Sequence, residues 1–391
     1  NQSNLTFGRD YIIPKPFDPR LIYEIPPAIA KAAMESGIAK YPIQDWEKYK
    51  HELMERLGTG NKMVRMLHDR AKSNPKRLVF NEADKLNVMK AAQIVYDEGI
   101  AIPVLLGNKA IIQKHIEELG FDGAVEIIDP KIDEERPRRL KYAEIYWKSH
   151  QRKGVTLVEA RKMMRERNYF AAMMVNEGDA DAMITGYSRN YSSTIKPLFE
   201  TIGMMDGVSR IAATNMMLTK RGPMFLSDTT INIDPNAKQL AKITQLTSSV
   251  VKMFGLEPVV AMLSFSNFGA SPSIHPRKIE EAVHILHKSN PELIVDGPIQ
   301  ADFALNSEML EDKFPFSLLA GKKTNTLIFP NLDSANISYK MMKELNGVES
   351  IGPIILGLKK PAHILQLGAS VDEMVNMAAV AVVDAQNKSK N

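Results

Sequence analysis

From about residue 63 onward, short apolar runs alternate with stretches in which apolar residues recur every three or four positions. The runs, bounded by turn residues, read as buried strands, and the wider spacing reads as one face of a helix. Arg77–Asn81 is the first such strand. A helix over 86–98 follows, with Val88, Ala91, Ala92 and Val95 on one stripe. Strands at 100–106, 125–128 and 182–185 then alternate with helices at 109–119 and 134–150. A second series places strands at 222–226, 259–264, 293–295, 326–329 and 351–358, with helices at 236–254, 276–289 and 371–384. Strand–helix–strand order of this kind predicts an α/β fold with parallel sheets covered on both faces.

The first 57 residues keep no such period. Pro14, Pro16, Pro19, Pro26 and Pro27 punctuate them. Each ring removes an N–H and restrains the residue before it. A helix is expected over 28–36, opened by Pro26-Pro27 and closed at Gly37, and another over 46–57, closed at Gly58. The segment is too small to fold securely by itself, so it is expected to lie along another element or chain. Gly58-Thr59-Gly60 has no strand before it and Met63 where a dinucleotide fingerprint needs its third glycine. It reads as a helix cap and linker.

Bulk properties narrow the class. The chain has 391 residues, 44% of them hydrophobic and 25% charged, with a formal charge of +4 and no cysteine. A small, evenly spread charge gives no argument for nucleic acid. Without cysteine there are no disulfides or thiolate metal sites, which fits a reducing, cytoplasmic setting. No apolar stretch is long enough to span a bilayer. Asn1-Gln2-Ser3-Asn4 does not resemble a signal peptide, and there is no initiator Met, so the chain is expected to be cut from something longer. The eight histidines show no zinc spacing, and His284 with His287 reads as a solvated helix face.

Two loops carry candidate chemistry. Gly186-Tyr-Ser-Arg-Asn-Tyr-Ser-Ser-Thr194 follows the strand over 182–185, and in open α/β sheets ligands sit beyond the carboxyl ends of strands. Its hydroxyls, with Arg189 and Lys196, suit a phosphate-bearing ligand. Ser264-Phe-Ser-Asn-Phe-Gly-Ala-Ser271 is a second loop of the same kind. Candidate ligand contacts are Ser188, Arg189, Ser192, Thr194, Lys196, Ser264, Ser266, Asn267 and Gly269, in a cleft between the two units. Asp296-Gly297-Pro298 and the stretch 330–336 read as further strand-end turns.

These residues bring a family into view. Met262-Leu-Ser-Phe-Ser266, Val295-Asp-Gly297, Asn325-Thr-Leu-Ile-Phe-Pro-Asn-Leu332, Asn336-Ile-Ser-Tyr-Lys340, Gly352-Pro-Ile354 and Gly357-Leu-Lys-Lys-Pro361 are similar to the signature stretches of phosphotransacetylases, as is Arg152-Lys-Gly154 with Val155-Thr-Leu157. The likeness covers about five-sixths of the chain, in order. Phe7-Gly-Arg-Asp-Tyr-Ile-Ile-Pro-Lys-Pro-Phe-Asp-Pro-Arg20 resembles instead the end of a bacterial malic-enzyme domain. Together the two parts resemble the C-terminal region of hybrid NADP-dependent malic enzymes. The resemblance implies a two-lobed, isocitrate/isopropylmalate dehydrogenase-like fold, with residues 1–57 as the malic-enzyme tail. Lobe one would take about 59–205 plus 353–391, and lobe two about 206–352. It also implies a homo-oligomer, a dimer through the phosphotransacetylase-like region or a larger assembly, with its own malic-enzyme domain as a partner and with NADP and Mg or Mn bound only by that missing part.

Departures from the family pattern decide the expected function. The family's Ser-Arg-Gly motif and its following Asp correspond here to Gln366, Leu367, Gly368 and Glu373, with Asp372 beside the last. Its phosphate-binding Arg in Thr-x-Arg-Pro is Lys196, and another family Arg aligns with His150. Acyl transfer between phosphate and a thiol needs a base and well-placed cationic donors. Leucine offers no donor, and lysine lacks the planar fork of arginine. The expectation is an acetyl-CoA-binding regulatory module, itself without confident catalytic residues, metal or cofactor. The alternatives are an active phosphate acetyltransferase, in which Lys196, Arg189 or Arg152 compensates, and a purely structural dimerisation module.

Overall fold

The computed structural model describes residues 21–388, apart from 47, 50–52 and 54–58. Two compact units meet in sequence between Arg65 and Met66. In the first, α1 (Leu21–Glu35) runs straight through Pro26 and Pro27, seven residues ahead of its expected start at Ala28. The helical φ of proline is compatible with that path, at the cost of one backbone bond per ring. Gly37 closes the helix with φ +72°, its N–H donating to the Met34 carbonyl. The malic-enzyme-like stretch Phe7–Arg20 and most of the helix expected over 46–57 lie outside the described residues.

The second unit opens within α2 (Thr59–Lys72), so Thr59 and Gly60 are helix, not linker. Next come β1 (Arg77–Asn81), α3 (Leu86–Asp97), β2 (Ile102–Leu106), α4 (Lys109–Leu119) and β3 (Glu126–Ile128). Helices α5 (Arg136–His150), α6 (Leu157–Met163) and α7 (Arg167–Glu177) lead to β4 (Ala182–Thr185) and α8 (Tyr191–Thr201). A second group holds β5 (Ala212–Thr219), β6 (Gly222–Ser227), α9 (Ala237–Met253), β7 (Val259–Leu263) and α10 (Ile274–Ser289). It continues with β8 (Ile294–Ile299), α11 (Ala301–Leu305), α12 (Ser307–Lys313), β9 (Thr326–Ile328), α13 (Leu332–Asn346) and β10 (Ser350–Leu356). The chain ends with β11 (Ala362–Ile364) and α14 (Val371–Lys388).

The first sheet has the order β11-β4-β1-β2-β3 and is parallel throughout. The second has the order β10-β5-β6-β9-β7-β8, with β5 antiparallel to both its neighbours. Strand β10 belongs to the second sheet as far as Leu356, so the lobe division expected at 352/353 falls inside a strand. Six residues later β11 enters the first sheet beside β4. The His363 Nδ1 accepts the Ile355 N–H at 3.2 Å, tying β11 back to β10. Its Nε2 faces the Asp384 carboxylate at 3.4 Å.

Helix α14 explains its own burial. Met374, Met377, Ala378, Val380, Ala381 and Val382 are apolar on more than one face, and all are buried. A helix apolar around most of its circumference must be enclosed. It packs on α3 and β4 of the first lobe and on β10 of the second. The first core, centred on Val79, Leu106, Tyr142, Phe170 and Met183, runs without a break into Ala213 and Ile355 of the second sheet.

Two expected turns are corrected. Asp296-Gly297-Pro298 lies inside β8. There Gly297, at φ +151°, passes so close to β7 that a Cβ would stand 2.4 Å from the Met262 carbonyl oxygen. The stretch 330–336 is the start of α13: the Asn331 side chain accepts the Ser334 N–H at 2.9 Å.

Candidate functional site

At the carboxyl edge of the first sheet, β1 and β4 end on a buried polar knot. Asn81 donates to Thr185 Oγ1 at 2.9 Å and to Asn168 Oδ1, and Thr185 donates to Asn168 at 2.9 Å. Glu82 follows with φ 68°, a left-handed conformation uncommon outside glycine. It is 1% exposed. One carboxylate oxygen accepts the Ser188 N–H at 2.9 Å, and the other has no partner. Burial pushes the Glu82 pKa up, against the Ser188 bond and the charges of Arg167 and Arg189. Sequence reasoning missed Glu82, since nothing local in Asn81-Glu82-Ala83 announces either burial or backbone strain.

The loop that Glu82 holds is the one expected to bind phosphate. Gly186 has φ +90°, and a Cβ there would lie 2.7 Å from Ile364 of β11, so glycine is required. Ser188 is exposed. The Arg189 guanidinium bonds Glu166 at 2.5 Å, and Glu166 also caps α7 by accepting the Asn168 N–H at 2.9 Å. Thr194 is fully buried and donates to the Asn190 carbonyl at 3.0 Å, which leaves it a helix residue rather than a ligand contact. Lys196 is exposed and stands 3.9 Å from Glu200 on its own helix. The side chain of Ser192 lies outside the described residues.

Arg189 opens onto a cavity of about 540 Å³ formed by first-lobe elements alone. Asp84, Gly107, Asn108, Asp129 and the segment from Lys162 to Arg167 form its wall. Arg167 grips Asp84 with two bonds, of 2.7 and 3.3 Å.

Ser264 opens onto a different cavity, of about 430 Å³, formed by second-lobe elements alone. Leu263, Phe265, Phe329, Pro330, Asn331 and Ser334 line it, at the carboxyl ends of β7 and β9. Beside it Asn267 exchanges two bonds with Gln300, accepting its N–H at 2.8 Å and donating to its Oε1 at 2.7 Å. That pair fixes the loop. Ser266 is 8% exposed, and Gly269 is exposed with open space where a Cβ would be. The cavity at Arg189 is lined by the first loop and not the second, and the cavity at Ser264 by the second and not the first.

Three of the positions expected to be degenerate, Gln366, Leu367 and Glu373, cluster where β11 meets α14. Leu367 is 70% exposed and reaches nothing polar. Gln366 donates to the Tyr339 hydroxyl of α13 at 3.3 Å. Glu373 accepts the Ser370 N–H at 2.8 Å, capping α14, and pairs with Lys343 at 2.8 Å. Burial alone would raise the Glu373 pKa, but the Lys343 and Ser370 bonds more than offset it and hold it below the ordinary value. A carboxylate so occupied is a poor general base. His150 lies apart, buried and stacked on Tyr146 at 4.1 Å, with Nδ1 3.0 Å from the Tyr146 carbonyl. Among the described residues no group of three or more His, Asp or Glu side chains could hold a metal.

Comparison with known proteins settles the lineage. Residues 62–382 match the family described as phosphate acetyl/butaryl transferase. The chain belongs to this family. A phosphotransacetylase from Streptococcus pyogenes superposes with a TM-score of 0.76 at 32% identity, covering 84% of this chain and 99% of that one. The EutD phosphotransacetylase from Staphylococcus aureus gives 0.76 at 28% identity, covering 83% and 99%. An NADP-dependent malic enzyme of Haemophilus influenzae is 38% identical over 98% of this chain but only 51% of its own length. The phosphate acetyltransferase of Nitratidesulfovibrio vulgaris is 35% identical over 82% of this chain and 45% of its own. The chain thus spans about half the length of the curated relatives it matches. The malic enzymes align through nearly the whole chain, the N-terminal stretch outside the phosphate acetyl/butaryl transferase match included. This agrees with a hybrid in which a transferase-family region forms the C-terminal part. Among the described residues no helix is long and apolar enough to cross a membrane.

Proposed function

We propose that this region is an acetyl-CoA-binding regulatory module of a malic enzyme that oxidatively decarboxylates malate with NADP, and that it has little or no acetyltransferase activity of its own. The observation that carries the reading is Leu367, exposed and apolar at the position of the family's arginine. Loss of one oxyanion donor alone costs on the order of 100-fold or more in rate. Glu373, at the position of the family's Asp, is engaged by Ser370 and Lys343. The fold around these positions is kept, and an apolar slot with polar ends lies beyond β7 and β9, suited to a pantetheine arm. Ile337, Met341 and Leu345, exposed along one stripe of α13, offer an apolar face for a second copy.

Two measurements test this. Acetyl-CoA formation from acetyl phosphate and coenzyme A should stay at background, and a turnover of about 1 per second or faster would restore the transferase reading. In the longer malic enzyme, acetyl-CoA should change the rate of malate oxidation, and Ser264→Phe, which fills the second-lobe cavity, should blunt that response. A wild-type rate indifferent to millimolar acetyl-CoA defeats the proposal.

A further inference from the structure

We propose that the first-lobe cavity is a second, separate ligand site, one that takes a phosphate-bearing metabolite. The case rests on charge accounting within the cavity. Five cations line it, Lys131, Lys162, Arg165, Arg167 and Arg189, against three carboxylates, Asp84, Asp129 and Glu166. Each carboxylate is already engaged. Asp84 is held by Arg167, and Glu166 by Arg189 and the first N–H groups of α7. Asp129 is 6% exposed and accepts the Lys131 N–H at 2.9 Å and the Lys109 N–H at 3.2 Å. Each of the remaining cations is spare. Lys131 and Lys162 pair with no carboxylate among the described residues, and Arg165 reaches only the Lys131 carbonyl, at 3.4 Å.

The surplus among the lining residues is therefore two positive charges in a concave site. A phosphomonoester or diphosphate carries the matching charge, and an arginine fork binds it by two parallel bonds. The cavity, of about 540 Å³, exceeds a bare phosphate ion and leaves room for an organic body. Ile111, 42% exposed at the wall, and Pro130 offer that body an apolar surface. A Cβ at Gly107 would stand 3.1 Å from the Asp84 backbone nitrogen, so this part of the wall is closely packed. The location, beyond the carboxyl ends of β2 and β3, is where parallel sheets present ligands. The site does not depend on the acetyl-CoA reading, because no second-lobe residue lines it.

Calorimetric titration of the 391-residue chain with pyrophosphate, in a low-salt chloride buffer, tests the inference. Saturable binding is expected, weakened at least tenfold in Lys162→Glu/Arg165→Glu. Lys322→Glu/Lys323→Glu, an equal charge change on exposed lysines outside the cavity, should bind as the wild type does. Matching thermal melts of the two variants exclude misfolding as the cause. Absence of saturable binding overturns the proposal, and so does equal loss in both variants, which would mean diffuse attraction to net charge. A titration in saturating acetyl-CoA should give the same affinity, and competition would overturn the separateness of the site.

Discussion

Beyond β1 and β4 the first sheet ends in charged and titratable groups, Glu166, Arg167, Arg189 and the buried Glu82, beside a buried amide and hydroxyl knot. Beyond β7 and β9 the second sheet ends in hydroxyls, amides and aromatic rings, and its geometry is set by close backbone approach at Gly297 and by the Asn267–Gln300 pair. One edge is held by charge and the other by shape. The difference teaches where each is vulnerable: the charged edge should respond to pH and salt, and the packed edge to added volume.

Gly297→Ala should have the largest effect. Its Cβ would overlap the Met262 carbonyl at a φ that side chains avoid, so a loss of about 3 kcal/mol or more in urea unfolding is expected. A loss under about 1 kcal/mol would show that β7 and β8 can part, and would break the claim that packing holds this edge. Asn81→Ala comes next. It removes two bonds from the buried knot and leaves Thr185 and Asn168 bonded to each other, with an expected cost of about 1–3 kcal/mol by the same measurement. The substitution should cost as much at 1 M salt as at 0.1 M, since the knot is neutral and buried.

Glu82→Gln should give the smallest change at any one pH, and the most informative one. The folded-state pKa of Glu82 is raised above the ordinary 4.5. Below 4.5 the group is protonated in both states and contributes no pH-dependent penalty. As pH climbs through the window just above 4.5, the unfolded chain ionises first, and folding bears a growing cost of burying the charge. Thermal melts across that window should therefore show Glu82→Gln gaining on the wild type as pH rises. A constant gap would mean that Arg167 and Arg189 compensate the burial fully.

How much of this was legible in the sequence varies by element. The boundaries of β1 and β4 were readable to the residue because compact apolar runs stop at polar or glycine positions. The buried face of α10, Ile279, Ala282, Val283 and Leu286, follows directly from its spacing. Strand β5 escaped notice since Asn215 interrupts a methionine-rich run that favours neither period. Strand β11 is three residues long and exists only because β4 is there to pair with it. The start of α13 was hidden by its own capping residues, which resemble a turn until the helix behind them is seen. At the candidate sites, the two loops could be read from their composition and position after strands. The pairing of Arg189 with Glu166 could not, because it joins residues 23 positions apart.

The order of strands in the first sheet also sets an order in time. Ala362 of β11 pairs with Met183 of β4, and the entire second sheet lies between them in the chain. Helix α14, which covers β4 and α3, comes later still. During synthesis β1 to β4 therefore emerge with an unpaired edge and an uncovered apolar face, and wait. Strands β5 to β10 form a contiguous block that can close before β11 emerges. Long-range closure of this kind is slow, and exposed edges in the interval invite aggregation. Strand β11 and helix α14 thus complete the first sheet: a chain that stops before them leaves β4 with an unpaired edge and α3 without its covering helix.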